Sequence, residues 1–443
     1  MTTVITYGTF DLFHYGHRRL LERARDLGDY FIVGVTADNF DKNRGKFDVQ
    51  QSLMERIESV RATGLADEII VEEYEGQKID DIKEKNVDIF TVGSDWRGRF
   101  DYLSEYCDIV YLDRTEGVSS TDLRAENRNI SLGFVGESRV LTKFYNEAQQ
   151  VSGIKIETVY TNDVDVIKNI DSPTLKIADC YEDVLYDCDA VVIVSHPSKH
   201  YRQVKKALLA GKHVLCESPI ALKEEEAEEL FQIAHENDLI LFESIKTAYS
   251  TAYNRLLLLA KTGKIGDILS IDATCTSLIE EEDDPISKWS SIASWGPTAL
   301  LPIFQLFGCD YEFKYASSLY LNNTNFDLFT KVDFEYEDAV ASIKVGNGVK
   351  SEGELIISGT EGYIYVPAPW WKTDYFELRY ENPQDNQKYF YQLEGEGIRY
   401  ELVAFTKSIQ INKDNSYIEN EVSIAICKIV EDVMAQDSYK INR

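Results

Sequence analysis

Two histidines three residues apart, His14 and His17, close the run Gly8-Thr9-Phe10-Asp11-Leu12-Phe13-His14-Tyr15-Gly16-His17. Side chains at that spacing share one face of a helical turn. Gly16 between them lets a ligand approach the main chain, while free N–H groups and the helix dipole favour an anion. The combination suits holding a triphosphate and stabilising charge at a phosphorus under attack. A strand–helix unit with two surface histidines is the plainer alternative. Two of the chain's six histidines nevertheless fall within these four residues, in the right context. An apolar strand, Val4–Tyr7, precedes the run, and a helix with apolar Leu20, Leu21, Ala24 and Leu27 follows, with Gly28 where a C-cap is expected.

Three further segments supply groups of the same chemistry. The loop Asp41-Lys42-Asn43-Arg44-Gly45-Lys46 gathers three cations, followed by Arg56 on a helical stretch. Gly93-Ser94-Asp95-Trp96 ends an apolar strand, at the edge where open α/β sheets bind ligands. Arg114-Thr115-Glu116-Gly117-Val118-Ser119-Ser120-Thr121 ends another and opens a helix with hydroxyl groups at its cap. Alone, a basic loop is most often a solvated face, and Trp96 serves equally well as packing.

The elements that must position these groups follow from the apolar pattern. Strands at Phe31–Thr36, Glu68–Val71, Ile89–Val92 and Val110–Leu112 alternate with helical segments, which implies a parallel sheet covered on both faces. The polar stretch 124–129 closes this unit. Alternation restarts at Ile130–Gly136 and runs through Ala190–Ser195, His213–Glu217 and Leu239–Glu243. Beyond about residue 265 the β-rich stretches Ile268–Ser277, Lys331–Glu337, Ala339–Val345 and Gly353–Val366 follow one another. Helical pattern returns only at Arg399–Ile411 and Glu421–Met434. The expected fold is α/β: a Rossmann-like domain over 1–127, a second over 130–247, and an α+β domain with an open, mostly antiparallel sheet over 248–443.

Bulk properties narrow the partners. The formal net charge of −30 over 443 residues argues against nucleic acid or an anionic membrane. No apolar run approaches the roughly 20 residues that span a bilayer. Seven scattered cysteines without metal-ligand spacing fit reduced thiols. The chain opens directly on a core strand, so no leader and a cytoplasmic location are expected. No protein-only metal cage is visible. The acidic run Glu280–Asp284 reads as a solvated loop, with cation binding the alternative.

Together the four N-terminal segments resemble the glycerol-3-phosphate cytidylyltransferase family, of the HxGH nucleotidyltransferase superfamily, over residues 2–125. The resemblance implies attack by a small polyol phosphate on the α-phosphorus of CTP with release of pyrophosphate, for wall or capsule polymer synthesis. It assigns His14, His17, Lys46 and Arg114 to catalysis. Gly8, Thr9, Phe10, Asp11, Gly16, Arg44, Arg56, Gly93, Asp95, Trp96, Ser119, Ser120 and Thr121 would bind nucleotide or phosphate. Mg²⁺ is expected with CTP.

Residues 130–440 resemble the Gfo/Idh/MocA oxidoreductases, on Leu209–Leu222, Gly359–Ile364 and Gly397–Glu401. The resemblance implies a Rossmann domain, an open-sheet domain and homo-oligomers, but the residues of redox chemistry are altered. Ser218 stands in place of the family's lysine, and Ser294 and Thr298 in place of Asp and His. The dinucleotide turn keeps Gly136 but has Ser138 and Leu141 for the later glycines, with Glu137 repelling phosphate and Asp163 a ribose candidate. A redox-inactive assembly or regulatory module is the leading expectation. NAD(P)-dependent reduction and ligand sensing are the rivals. The stretch Tyr363–Trp371 fits either an interface or ordinary core.

Overall fold

Short apolar strands separated by amphipathic helices cannot pair as hairpins, so each returns parallel to the last. In the computed structural model this produces two such sheets and a third of different character. The residues described are 2–11, 13, 15–37, 51, 53–73, 76–113, 130–137, 139–151, 153–170, 175–278, 289–321, 326–391, 393, 395–435 and 439–442. The acidic run 280–284 lies outside them. The chain divides into two compact units, Met1–Arg128 and Asn129–Arg443.

The first unit holds β1 (Thr3–Gly8), β2 (Tyr30–Thr36), β3 (Glu68–Glu72), β4 (Ile89–Gly93) and β5 (Asp108–Leu112). They are parallel in the order β3-β2-β1-β4-β5. The order in which strands are added reverses between β1 and β4, the switch point at whose carboxyl ends such sheets bind ligands. Helix Tyr15–Arg25 buries Leu21 and Ala24 completely, packing against β1 and β4. Gly28 lies beyond this helix without a left-handed φ. It is required instead because a Cβ there would come within 2.6 Å of the Thr2 oxygen.

In the second unit, β6 (Ile130–Gly136), β7 (Ile154–Tyr160), β8 (Lys176–Ile177), β9 (Ala190–Val194), β10 (His213–Glu217) and β11 (Leu241–Ser244) form a parallel sheet ordered β11-β10-β9-β6-β7-β8. All of β9 is buried, as a central parallel strand should be. A nine-stranded sheet follows, built from β12 (Ile268–Ser277), β13 (Phe313–Tyr320), β14 (Asp327–Glu335), β15 (Val340–Asn347), β16 (Leu355–Gly359), β17 (Gly362–Val366), β18 (Tyr375–Tyr380), β19 (Gln387–Phe390) and β20 (Tyr439–Asn442). Its order is β19-β18-β17-β16-β12-β15-β14-β13-β20. Neighbours run antiparallel except β12 with β15 and β13 with β20.

One helix departs from the expected succession of strands. Ser291–Phe307 packs against β12, β14 and β15 despite Pro297 and Pro302 within it. Each proline removes an N–H from the helical ladder. The burial of Leu300, Leu301, Ile303 and Phe304 offsets that loss. Within Tyr363–Trp371, Trp370 is core: it is fully buried and its Nε1 donates to the Thr274 oxygen at 3.1 Å.

Candidate active site

The turn after β1 is held from three sides. Phe10 takes φ 54°, uncommon for a bulky residue. Its ring lies over Gly8, where a Cβ would approach the ring to 2.9 Å. Asp11 Oδ1 accepts from the Gln51 N–H at 2.9 Å. Arg56 donates through Nη1 to the Thr9 and Thr36 oxygens at 2.7 and 2.8 Å, and through Nε to the Gln51 oxygen at 3.2 Å. Arg56 is 0% exposed. Expected as a phosphate ligand, it is buried against the turn, with three carbonyl oxygens accepting from its Nε and Nη1.

His17 projects from the first turn of helix Tyr15–Arg25, one residue past Gly16. Its ring stands edge-on to Phe10 at 5.6 Å and tilted against Phe13 at 5.5 Å. Two phenyl rings therefore fix the orientation of a half-buried imidazole at the carboxyl end of β1. At the switch point, Thr6 pairs with Thr91, so β1 and β4 reach Gly8 and Gly93 side by side. A Cβ on Gly93 would meet nothing within 4 Å among the described residues. Asp95 sits within the 3-10 turn Ser94–Trp96 that follows. Trp96 packs on Phe100 at 5.9 Å, with the Arg99 guanidinium 5.5 Å from its ring. His14, Arg44, Lys46, Arg114, Ser119, Ser120 and Thr121 lie outside the described residues.

The sequence reading missed a brace at the ends of β2 and β3. Thr36 Oγ1 donates to Glu72 Oε2 at 2.9 Å, and Lys78 pairs with Glu72 while lying 4.5 Å from the Tyr7 ring centre. Thr36 also passes its carbonyl to Arg56, so the brace continues into the turn. No motif marks residues so far apart.

In the second unit the described residues of the turn after β6 are packed or paired, and Ser138 lies outside them. A Cβ on Gly136 would meet the Val194 oxygen at 2.3 Å, and Leu141 is fully buried beside it. Glu137 is not free to repel a ligand: Lys199 Nζ lies 2.7 Å from its Oε2, which holds its carboxyl below the usual range. Asp163 Oδ1 accepts from the Val166 N–H at 3.3 Å, so the ribose candidate begins a short helix. Ser218 is 5% exposed, directly after β10. Ser294 Oγ donates to the Trp289 oxygen at 3.2 Å and accepts from Asn347 Nδ2 at 2.7 Å. Thr298 lies one turn further along the same helix, half-buried.

Comparison with known proteins fits this division. Residues 5–126 match the family model described as Cytidylyltransferase-like. Over 131 residues the chain is 46% identical to the glycerol-3-phosphate cytidylyltransferase of Bacillus spizizenii, covering 28% of this chain and 97% of that protein. The chain belongs to the cytidylyltransferase-like family. Behind the cytidylyltransferase unit, residues 130–244 match the oxidoreductase family with an NAD-binding Rossmann fold. Over 330 residues, 69% of its length, the chain is 23% identical to scyllo-inositol 2-dehydrogenase (NADP(+)) IolU of Bacillus subtilis, covering 97% of that protein. In fold the chain matches KijD10, a 3-ketoreductase from Actinomadura kijaniata solved with NADP and TDP-benzene. The TM-score is 0.64 at 17% identity, covering 71% of this chain and all of that one.

The described residues of the turn after β6 offer a dinucleotide pyrophosphate no free cation and no second glycine. Leu141 fills the helix–strand contact that a glycine would leave open, the Glu137 carboxylate is taken by Lys199, and Ser138 lies outside the described residues. Among the described residues no helix is long and apolar enough to cross a membrane. Nor is there among them a group of three or more His, Cys, Asp or Glu that could hold a metal ion.

Proposed function

We propose that the first unit joins CTP to a small polyol phosphate, most simply glycerol phosphate, giving a CDP-polyol and pyrophosphate. The observation that carries this is 46% identity along 97% of a glycerol-3-phosphate cytidylyltransferase. In this reading an acceptor phosphate oxygen attacks the α-phosphorus while pyrophosphate departs in line. Such transfer depends on positioning and charge neutralisation more than on a protein nucleophile. His17, with His14, donates to phosphate oxygens as charge develops. Arg56 keeps the turn in place, and Lys46, Arg44, Arg114 and the 119–121 hydroxyls bind phosphates. Mg²⁺ arrives with the triphosphate and neutralises part of its charge. The product would feed wall or capsule polymer synthesis in the cytoplasm, a placement that rests on seven free thiols.

The second unit, in this reading, carries no hydride chemistry and serves assembly, as a homo-oligomer, or regulation. Ser218, Ser294 and Thr298 offer hydroxyls where proton transfer would need a cation, a carboxylate and an imidazole. A second reading, a reductase that makes the polyol phosphate, is favoured by the fold shared with an NADP-bound ketoreductase. Pyrophosphate release measured with CTP or ATP and a panel of polyol phosphates tests the first reading. Release with CTP and one glycerol phosphate is expected; release with ATP alone would overturn it. NADPH oxidation against keto- and aldehyde-phosphates decides the second.

A further inference from the structure

In the second unit, three ammonium groups converge on one carboxylate from separate segments. Lys372 Nζ lies 2.6 Å from Glu396 Oε2, Lys143 Nζ 3.4 Å and Lys246 Nζ 3.5 Å from the same oxygen. Lys143 belongs to helix Arg139–Ala148, Lys246 to the turn after β11 and Lys372 to the turn Trp370–Lys372. Counted against Glu396 alone, three protonated lysines leave two positive charges over, in a chain whose formal net charge is −30. Like charges this close repel, and exposed ion pairs contribute too little to gather them.

The carboxylate is placed by a stiff support. Arg399 donates to both Glu147 oxygens, at 2.9 and 3.1 Å, and the Glu396 N–H reaches Glu147 Oε1 at 3.4 Å. The cluster remains open to solutes, with side-chain exposure of 26% at Lys246 and 49% at Lys143. Its place in the fold is informative. Glu217 and Ser244 pair across β10 and β11, so Ser218 and Lys246 lie just past the ends of adjacent strands. The ammonium absent from position 218 stands one strand across.

Two other carboxyls act on Lys246. Burial pushes Glu217 up to about 7 and Glu401 well above the usual range, which weakens their ability to neutralise the lysines. Burial, reinforced by Lys372, lowers the affinity of Lys246 for its proton. An added anion would relieve that repulsion.

We infer that Lys143, Lys246 and Lys372 form a subsite for a phosphate monoester dianion, with Glu396 as the internal counter-ion that the ligand displaces. A doubly charged oxyanion matches the excess of two charges and offers acceptors to all three donors. The site stands whichever reaction the first unit catalyses, so pyrophosphate release and the test below fail independently.

Acetylation of lysines on the full chain, read peptide by peptide by mass spectrometry, tests it with glycerol phosphate, inorganic phosphate and NADPH as probes. Millimolar glycerol phosphate should slow acetylation of Lys143, Lys246 and Lys372 several-fold while sparing the exposed Lys155. Equal protection by inorganic phosphate would keep the site and assign it to free phosphate. Protection by NADPH alone, or by none of the three, overturns it. Glu396→Gln should lower the half-protecting concentration about tenfold by removing the competing carboxylate. Lys372→Met should raise it about tenfold, and Lys372→Arg should restore it. Loss of thermal stability in Glu396→Gln with no gain in protection would show a cluster that only ties segments together, and would also overturn the proposal.

Discussion

The turns after β1 and β6 occupy the same place in two parallel sheets, yet they present different surfaces. After β1, His17 is clamped between two phenyl rings, and Arg56 holds the main chain from beneath. After β6, Gly136 persists because any side chain would collide with the Val194 oxygen. The residues around it are packed or paired, Leu141 in the core and Glu137 with Lys199. A glycine required by close packing survives whether or not the site works. Groups that face a ligand have no such constraint, and in the second unit positions 218, 294 and 298 carry hydroxyls.

The sharpest way to break this comparison is at His17. His17→Ala should lower turnover by about 10²–10³, the scale of losing one oriented donor at developing charge. The melting temperature should hardly move, because the ring is only half-buried. Turnover near the parent value, measured by pyrophosphate release, would leave the first turn no more chemical than the second.

Arg56→Met should act through stability first. Three carbonyl oxygens, of Thr9, Thr36 and Gln51, lose their donor in a buried place. A cost of about 3 kcal/mol follows from leaving such groups unsatisfied. Denaturant unfolding of the first unit would show it, and KM for CTP should rise as the turn loosens. Parent-like stability would mean that the turn is held by Phe10 and Asp11 alone.

The second unit should differ in its response to pH. Burial pushes Glu243 up to about 7, overcoming the Ser423 and Ile220 contacts that lower it. Its folded value thus exceeds its unfolded one, so the folded state keeps the proton longer. That stability is present below about pH 4.5 and is lost as pH rises through about 7. Roughly 3 kcal/mol is at stake, since the side chain is almost wholly buried. Melting of Glu243→Gln at pH 5 and pH 8 should show a smaller difference than the parent; an unchanged difference would place the titration elsewhere.

Much of both units was legible because short-range signals and tertiary packing agree. Strand β12 falls on Ile268–Ser277 as its apolar run suggests, and β10 on His213–Glu217. Helix Ser291–Phe307 was hidden by Pro297 and Pro302, whose local cost is outweighed by burial that the sequence does not display. Gly28 was correctly marked as special for the wrong reason: contact with Thr2 requires it, not a left-handed cap. At the site, the spacing of Gly16 and His17 announces a turn. Arg56 reads like any basic residue until its three acceptors are seen. The lysines around Glu396 come from three segments and the carboxylate from a fourth, so no periodicity or motif could join them.

The smallest effect expected is none. Ser218→Lys would return a cation to the end of β10, beside Glu217, whose Oε1 already accepts from the residue 218 N–H at 3.3 Å. A paired ammonium at that point still lacks proton-transfer partners. The Ser294 hydroxyl is held by Trp289 and Asn347, and Thr298 carries no group that titrates near neutrality. NADPH oxidation by the variant, assayed with keto- and aldehyde-phosphates, should equal the parent rate. A tenfold rise would mean that one charge was all that separated the second edge from chemistry, and the contrast between the two turns would have to be redrawn around position 218.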